Sequence, residues 1–230
     1  ALGHQERIIC GGAQEINWES MCSFDALGAF SNRIEEPEAA SRPFDKHRNG
    51  LVPSGGAAAV VLERYDLACK RNADILGEVK SYGFSSDGQH ISAPSSEGLK
   101  FAMEGALKAA KLAPSDIDYI SAHATSTPIG DSVESQGISA IFGQNRPWVS
   151  SVKSMTGHEL WMAGASMVVY SVIMAREGFI APNLNFEAPD DTTRNLRIVT
   201  ETLDEPLKTV MCNSAGFGGT NSCLILRFDK

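Results

Sequence analysis

Basic residues are scarce in this chain of 230 residues. The 20 Lys and Arg stand against 28 Asp and Glu, which gives a formal net charge of −8 at pH 7. Proteins that bind nucleic acid need a basic face, so this composition argues against nucleic acid as a ligand. A local basic patch can still exist on an acidic protein. The residues Arg42, Lys46 and Arg48 are the candidates for such a patch, and a solvated turn is the alternative.

The chain also lacks paired cysteines and long hydrophobic runs. None of its five cysteines has the Cys-x-x-Cys spacing of zinc and redox sites, which favours free thiols in a reducing, cytoplasmic compartment. No secretory signal is predicted, because Glu6 and Arg7 interrupt the only candidate. The most apolar helical stretch, residues 160–175, is shorter than the roughly 20 residues of a transmembrane helix. We therefore predict no membrane span and a helix buried on all sides.

Two common catalytic motifs are absent as well. The glycine-rich residues 216–220 lack the Gly-Lys-Ser/Thr of a phosphate-binding loop, and a predicted strand rather than a helix follows them. No Gly-x-Ser-x-Gly elbow marks a serine nucleophile. We predict that 216–220 is a flexible turn with room for a substrate, because glycine tolerates many backbone conformations.

Predicted strands and helices alternate along the chain, which is typical of an α/β protein. The predicted strands are 7–12, 55–62, 75–82, 117–120, 147–149, 196–202, 209–213 and 222–228, and the predicted helices are 65–72, 98–112, 131–141 and 160–175. Residues 17–31 are predicted to be irregular with one helical turn, and 86–97 to form a loop over the site. We place a soft boundary near Arg71, between regions 1–70 and 71–230, where one sheet would end and a second begin.

Two histidines follow predicted strands at points where helices begin. His123 follows strand 117–120, and His158 follows strand 147–149 with Lys153 between the two histidines. Ligands of open α/β sheets bind at the carboxyl ends of strands, so we expect these three residues to share one site. A single histidine in such a place is more often structural, whereas the pair favours catalysis.

Five blocks carry a resemblance to a known family. They are Trp18-Glu-x-Met-Cys-x-Phe-Asp-Ala26, Arg42-Pro-Phe-Asp-x-x-Arg-x-Gly50, His123-x-Thr-x-Thr-Pro-x-Gly-Asp-x-x-Glu134, Lys153-x-x-x-Gly-His158 and Asn213-Ser-Ala-Gly-Phe-Gly-Gly-Thr-Asn221. Together, and in this order, they resemble the β-ketoacyl-acyl carrier protein synthases, and the first block resembles the type I branch. The resemblance implies a thiolase-like layered α-β-α-β-α fold, of which this chain is roughly the C-terminal half.

The resemblance implies a decarboxylative Claisen condensation between an acyl thioester and malonyl-acyl carrier protein, with no cofactor. It assigns His123 and His158 to the malonyl thioester carbonyl, and two neutral imidazole donors would stabilise the enolate that decarboxylation leaves. We expect Lys153 to pair with Glu134 and balance the site's protonation. Asp131 has two possible roles, one catalytic and one limited to the first turn of its helix, where the helix dipole favours a carboxylate.

The resemblance also assigns binding roles. Thr125 and Thr127 match the hydroxyls that bind pantetheine. The backbone N–H of Phe217 corresponds to half of an oxyanion hole, and its ring corresponds to a gate. Gly216 and Gly218 flank Phe217 and belong to the same part of the site.

Several residues depart from the family pattern. Ala215 replaces a Phe that borders the acyl pocket, and Glu159 and Trp161 replace small residues after the second histidine. We consider two hypotheses for the pocket: the Trp161 indole fills the space left at Ala215, or Ala215 widens the pocket and Trp161 packs elsewhere. Met167 replaces a Glu that helps to bind a structural cation, so we predict no metal.

The nucleophile of the family is a Cys that begins a helix upstream of the strand at 7–12, and none of the five cysteines here has that context. We expect the chain to act with an N-terminal portion of the same synthase, with acyl carrier protein, and within a homodimer or a ketosynthase heterodimer. The alternative is a non-catalytic, chain-length-determining subunit of such a heterodimer. A thiolase proper is disfavoured, because thiolases have Cys in place of the Gly-Phe-Gly-Gly turn and Asn in place of His123.

Overall fold

The computed structural model describes residues 3–143 and 147–228. The strands are β1 (Arg7–Gln14), β2 (Gly56–Glu63), β3 (Glu78–Ser86), β4 (Tyr119–Ser121), β5 (Trp148–Ser150), β6 (Arg197–Ile198), β7 (Thr209–Gly216) and β8 (Thr220–Arg227). The helices are α1 (Trp18–Ala26), α2 (Tyr65–Lys70), α3 (Ser96–Ala110), α4 (Pro128–Phe142), α5 (Lys153–Thr156) and α6 (Ala163–Glu177). Strands β1 and β2 form an antiparallel pair, and the other six strands form one sheet in the order β3-β8-β7-β4-β5-β6.

The centre of the larger sheet is parallel, and this brings the site together. Strand β4 runs parallel to β5 and β7, with Ser121 opposite Ser150 and Cys212. The segments that follow β4 and β5 therefore leave the sheet at the same edge. Ligands bind at this edge in open α/β sheets.

Alternate strand residues point to opposite sides of the larger sheet. Both faces of its central strands β4 and β7 are buried, whereas Tyr82 and Phe84 of the edge strand β3 are exposed. On one face, Ile120 and Met211 belong to a core with Leu99 of α3 and Ile138 of α4. On the other face, Tyr119 of β4 and neighbouring strand residues form a second core with α6. Full burial of a large apolar side chain contributes about 1.5–3 kcal/mol, so these two cores stabilise the sheet from both sides.

Helix α6 packs on β7 and also on β1 and β2, so it lies between the two sheets. Helices α3 and α4 lie together, with α3 packed on β3 and β8. The resulting order of layers is α3 with α4, the six-stranded sheet, α6, and the β1–β2 pair. The predicted layered α/β arrangement is therefore confirmed.

The prediction that residues 160–175 form a helix buried on all sides is wrong. Helix α6 begins at Ala163, after a 3-10 turn over Leu160–Met162. Gly164 is exposed and Ile173 is 45% exposed, because no element among residues 3–143 and 147–228 covers that side of the helix.

Other boundaries differ for local reasons. Helix α1 occupies a segment predicted to be irregular, and the Asn17 side chain caps it by accepting a hydrogen bond from the Ser20 N–H. None of its residues is buried, so no core packing stabilises this helix among the described residues. Strand β3 begins and ends later than predicted, and its small residues Ser81 and Gly83 face the core. An added Cβ on Gly83 would lie only 1.9 Å from the Ala102 carbonyl oxygen.

Candidate active site

His123 lies in the loop between β4 and α4, and two carboxylates of α4 hold this loop. Glu134 accepts hydrogen bonds from the backbone N–H groups of His123 at 3.0 Å and Ala124 at 2.7 Å. Asp131 accepts one from the Thr125 N–H at 2.9 Å. The two carboxylates are three positions apart and share one face of the helix. Three successive loop amides are therefore held by the helix that follows them.

Both carboxylates are buried and have further partners. The Asn213 amide donates to Glu134 at 3.1 Å, and the Phe44 N–H donates to Asp131 at 2.8 Å. Burial raises the pKa of Asp131 to about 7, against the opposing effects of its amide donors and of Arg48. Burial likewise raises the pKa of Glu134. Asp131 thus holds backbone rather than only favouring the first turn of its helix.

Lys153 is the first residue of α5 and is 2% exposed. Its Nζ lies 3.7 Å from the Met167 Sδ, and no ion pair joins it to Glu134. The predicted Lys153–Glu134 pair is not a direct contact, because backbone and side-chain amides occupy the Glu134 oxygens, but the two opposite charges interact through space. Burial lowers the pKa of Lys153 to about 8, and the nearby charges of Glu134 and Glu159 limit that fall.

The backbone of His158 is held from both sides. Its N–H donates to the Val52 carbonyl at 2.7 Å, and its carbonyl accepts from the Ser54 N–H at 2.9 Å. The preceding Gly157 has φ 73°, and a Cβ there would approach the Val52 oxygen to 2.8 Å. The Leu160 N–H donates to His158 Nδ1 at 3.2 Å. Because Nδ1 accepts, the proton of the neutral ring lies on Nε2.

The structure brings the two predicted histidines together. The ring centroids of His123 and His158 are 5.3 Å apart, and the rings meet edge to face at 86°. Burial and the Lys153 charge lower the pKa of His158 to about 3 and that of His123 well below its usual value. Both rings are therefore neutral at pH 7. Two neutral N–H donors at this separation can stabilise an anionic oxygen.

The other predicted site residues lie on two neighbouring loops. The hydroxyls of Thr125 and Thr127 are 3.1 Å apart in the loop after β4. The turn between β7 and β8 carries Phe217, whose ring is 50% exposed and 5.7 Å from the ring of Phe24. The turn is tied to loop 87–95, since the Gly218 N–H donates to the Ile91 carbonyl at 2.8 Å. The predicted loop over the site thus contacts the turn.

The hypothesis that the Trp161 indole fills the space left at Ala215 stays a prediction. Trp161 is 73% exposed within residues 3–143 and 147–228. Ala215 is half-buried in β7, opposite Asn221 of β8. The exposure of Trp161 follows from its place in the 3-10 turn before α6.

Sequence reasoning missed the role of the basic residues in the block Arg42–Gly50. Arg42 and Arg48 are only 2% and 7% exposed, so they form neither a basic patch nor a solvated turn. Arg42 pairs with Asp45 at 2.9 Å, and Arg48 pairs with Asp190 at 2.7 Å. Arg48 also donates to Ser132 of α4 at 2.6 Å, and so supports the helix that holds the His123 loop. The signal available was the acidic residue three positions after Arg42.

The cysteines show no activated thiol among the buried pair. Burial raises the pKa of Cys212 to about 11 and that of Cys223 well above its usual value. Within residues 3–143 and 147–228 there is no group of three His, Cys, Asp or Glu placed to hold a metal ion. In the same part of the chain, no helix is both long and apolar enough to cross a membrane.

Comparison with known proteins gives the following matches. The family model described as "Beta-ketoacyl synthase, N-terminal domain" matches residues 1–68, and that for the "C-terminal domain" matches 76–187. The 3-oxoacyl-[acyl-carrier-protein] synthase 1 of Escherichia coli (strain K12) is 46% identical over 231 aligned positions, which cover 98% of this chain and 55% of that protein. The chain thus spans about half the length of the curated relatives it matches.

Solved structures show the same correspondence. A β-ketoacyl synthase from Burkholderia phymatum has a TM-score of 0.95 and 39% identity, and the match covers 100% of this chain and 56% of that one. A type II polyketide acyl-carrier protein in complex with its ketosynthase gives a TM-score of 0.94 and 31% identity, over 99% of this chain and 57% of that one. The predicted thiolase-like fold, with this chain as about the C-terminal half, is confirmed.

Proposed function

Because this chain belongs to the β-ketoacyl synthase family, we propose that it supplies the decarboxylating part of the active site of a 3-oxoacyl-acyl carrier protein synthase. The observation that carries the proposal is the edge-to-face contact of two neutral imidazoles, His123 and His158, at the carboxyl ends of parallel strands. The proposed substrates are acyl and malonyl thioesters of acyl carrier protein. We place the reaction in the cytoplasm and without a cofactor.

In the proposed reaction, the bond between the malonyl carboxylate and its neighbouring carbon breaks. Carbon dioxide leaves, and the electron pair moves into the thioester to form an enolate. The Nε2–H of His158 and a ring N–H of His123 donate to the enolate oxygen as its charge develops. The enolate carbon then attacks the acyl thioester, a carbon–carbon bond forms, and the enzyme thiolate leaves with the electron pair. Neutral rings suit this step, because an imidazolium would protonate the enolate.

Lys153 contributes a charge rather than a contact in this scheme. Burial lowers the pKa of both histidines most, and the Lys153 ammonium lowers it further, so the two rings stay neutral. The Phe217 N–H would receive the acyl carbonyl oxygen, and the hydroxyls of Thr125 and Thr127 would bind the pantetheine arm. These binding roles are supported by the position of the loop after β4 and the turn after β7 at one edge of the sheet.

We propose that the nucleophilic thiol comes from outside these 230 residues. Cys212 and Cys223 are buried in the sheet with raised pKa values, which disfavours the thiolate. Ile9 and Val61 are cross-strand partners on the β1–β2 pair, and they are 76% and 65% exposed. This exposed apolar surface supports the proposal that another polypeptide segment covers it. That segment is the rest of the synthase or the other subunit of a dimer.

Two residues of this chain are proposed for the acyl pocket. Ala215 removes bulk from the wall of β7, and Trp161 is exposed on the neighbouring turn. We propose that both residues line the pocket once the thiol-bearing segment covers them. Retention of both histidines and Lys153 favours an enzyme over a non-catalytic, chain-length-determining subunit, because such a subunit has no need of an enolate site.

The test uses the complete synthase that carries this chain, with malonyl-acyl carrier protein as substrate. His123→Ala and His158→Ala should each slow decarboxylation on the order of a hundredfold or more, while acyl transfer to the enzyme thiol persists. His47→Ala is the matched control, because His47 is exposed. Decarboxylation at the parental rate in either active-site variant would exclude that histidine. A parent protein with neither activity would favour the non-catalytic subunit.

A further inference from the structure

We propose that Glu159 is a positioning residue that sets the ring orientation and tautomer of His158 by tying the turn after this histidine to α6. Its catalytic consequence rests on the proposed function, whereas its structural consequence does not. The proposal depends on three groups of contacts: those of the Glu159 carboxylate, those of the turn, and those of the His158 ring.

The Glu159 carboxylate is buried, and each of its oxygens accepts a hydrogen bond. The residue is 4% exposed, and its two oxygens accept from the Tyr170 hydroxyl at 2.6 Å and from the Ser166 hydroxyl at 2.5 Å. Ser166 and Tyr170 are four positions apart and share one face of α6. A buried carboxylate is costly unless it is hydrogen-bonded, and these two hydroxyls supply that compensation. The side chain therefore fastens the turn to the helix at two points.

The turn that Glu159 fastens holds an unfavourable backbone conformation. Leu160 has φ 47°, in the left-handed region that disfavours a residue with a branched side chain. Such a conformation persists only where the surrounding contacts determine it. The Glu159 carbonyl accepts from the Met162 N–H at 3.2 Å, so both the backbone and the side chain of Glu159 bracket Leu160.

The orientation of Leu160 in turn decides the state of the His158 ring. Its N–H donates to Nδ1 at 3.2 Å, which leaves the proton on Nε2. The bonds to Val52 and Ser54 fix only the backbone of His158, and its side-chain torsions need a second restraint. The hydrogen bonds of Glu159 to Ser166 and Tyr170, here called the Glu159 clamp, supply this restraint through the Leu160 amide.

Glu159 also lies near the buried charge of Lys153, so a purely electrostatic role is the competing explanation. Two substitutions separate the explanations. Glu159→Gln keeps one acceptor and one donor for the two hydroxyls but removes the charge. Glu159→Ala removes both the charge and the clamp. Positioning predicts that Gln rescues the parental behaviour and Ala does not, whereas a charge effect predicts that the two variants behave alike.

The experiment uses the complete synthase labelled with ¹⁵N-histidine, and the imidazole nitrogen shifts report the tautomer of each ring. We expect the Nε2–H form at His158 in the parent and in Glu159→Gln, and a mixture of tautomers in Glu159→Ala with His123 unchanged. Malonyl decarboxylation by Glu159→Ala should fall about tenfold, as when an outer partner that orients a functional histidine is lost.

Milder variants keep the test decisive if Glu159→Ala does not fold. Tyr170→Phe and Ser166→Ala each remove one hydroxyl from the clamp and should shift the tautomer part of the way. Tyr82→Phe is the control, since Tyr82 is an exposed residue of β3. The proposal is overturned by a parental His158 with its proton on Nδ1, by an unchanged tautomer in the clamp variants, or by Gln and Ala variants that behave alike. A parent without decarboxylation but with the expected tautomers would overturn the proposed function alone.

Discussion

The carboxylate of Glu134 accepts a 3.0 Å hydrogen bond from the backbone N–H of His123, eleven residues earlier in the chain. The loop that carries His123 is thus held by the helix that follows it. Among the described residues Lys153 makes no direct carboxylate contact, so its charge acts at longer range, both on Glu134 and on the two histidines.

Glu134→Gln should destabilise the synthase and slow malonyl decarboxylation. The amide NH₂ that replaces one oxygen cannot accept, so a buried N–H of His123 or Ala124 loses its partner. The expected cost is about 1–3 kcal/mol in the free energy of unfolding, measured by urea denaturation. Glu104→Gln, on the exposed face of α3, is the matched control and should change neither quantity. Equal stability of the two variants would contradict the anchoring role.

The pH profile of decarboxylation should lack the acid limb of an ordinary histidine. Burial and Lys153 lower the pKa of His158 to about 3 from the usual 6.5, so the ring stays neutral as the pH falls from about 8 to about 5. The measurement is kcat for malonyl decarboxylation across this range, with circular dichroism as the check on folding. Asp131 has a pKa of about 7, so Asp131→Asn is the control. A loss of kcat with an apparent pKa near 6.5 that persists in Asp131→Asn, while the protein stays folded, would show that one ring is charged in the site.

Lys153 should make folding stability rise with pH above about 8. Its pKa is lowered from 10.5 to about 8, so between these values the unfolded chain binds a proton here and the folded chain does not. Stability therefore increases with pH in this window, by up to about 1.4 kcal/mol per pH unit, relative to Lys153→Met. The measurement is the free energy of unfolding at several pH values.

A companion variant tests the environment of Lys153. The Met167 Sδ lies 3.7 Å from the Lys153 Nζ, and Met167→Glu places a carboxylate there. This should raise the Lys153 pKa and narrow the pH range in which stability rises with pH. Met167→Gln adds similar bulk without charge and should leave the window in place. Parallel stability curves for the parent and Lys153→Met would refute the lowered pKa.

Adding a methyl group in the contact between β3 and α3 should destabilise the protein on the β3 side but not on the α3 side. Gly83→Ala places a Cβ 1.9 Å from the Ala102 carbonyl oxygen, and the strand and helix must separate. The expected loss is about 1–3 kcal/mol of unfolding free energy. Gly105→Ala, across the same contact, meets Gly83 at 3.8 Å and should stabilise α3 by up to about 1 kcal/mol. The same sign of change in both variants would contradict this packing.

The sequence by itself determined the elements and the two histidines. Helices α3 and α4 and strands β1, β2 and β4 follow from apolar periodicity and flanking Pro or Gly, which are local properties. His123 and His158 could be placed in one site because parallel strands bring their carboxyl ends to one edge. Apolar periodicity did not predict helix α1, which buries none of its residues.

Only the tertiary structure decided what each charged group does. Glu134 binds amides instead of Lys153, Arg42 and Arg48 are buried, and the Glu159 carboxylate binds α6 instead of extending into solvent. A charged residue has many possible partners along a chain. The choice among them depends on which segments, such as Arg48 and Asp190 at a separation of 142 positions, are brought together by the cores on the two faces of the sheet. Burial also sets the protonation of the histidines, because desolvation acts only once the surrounding layers have packed.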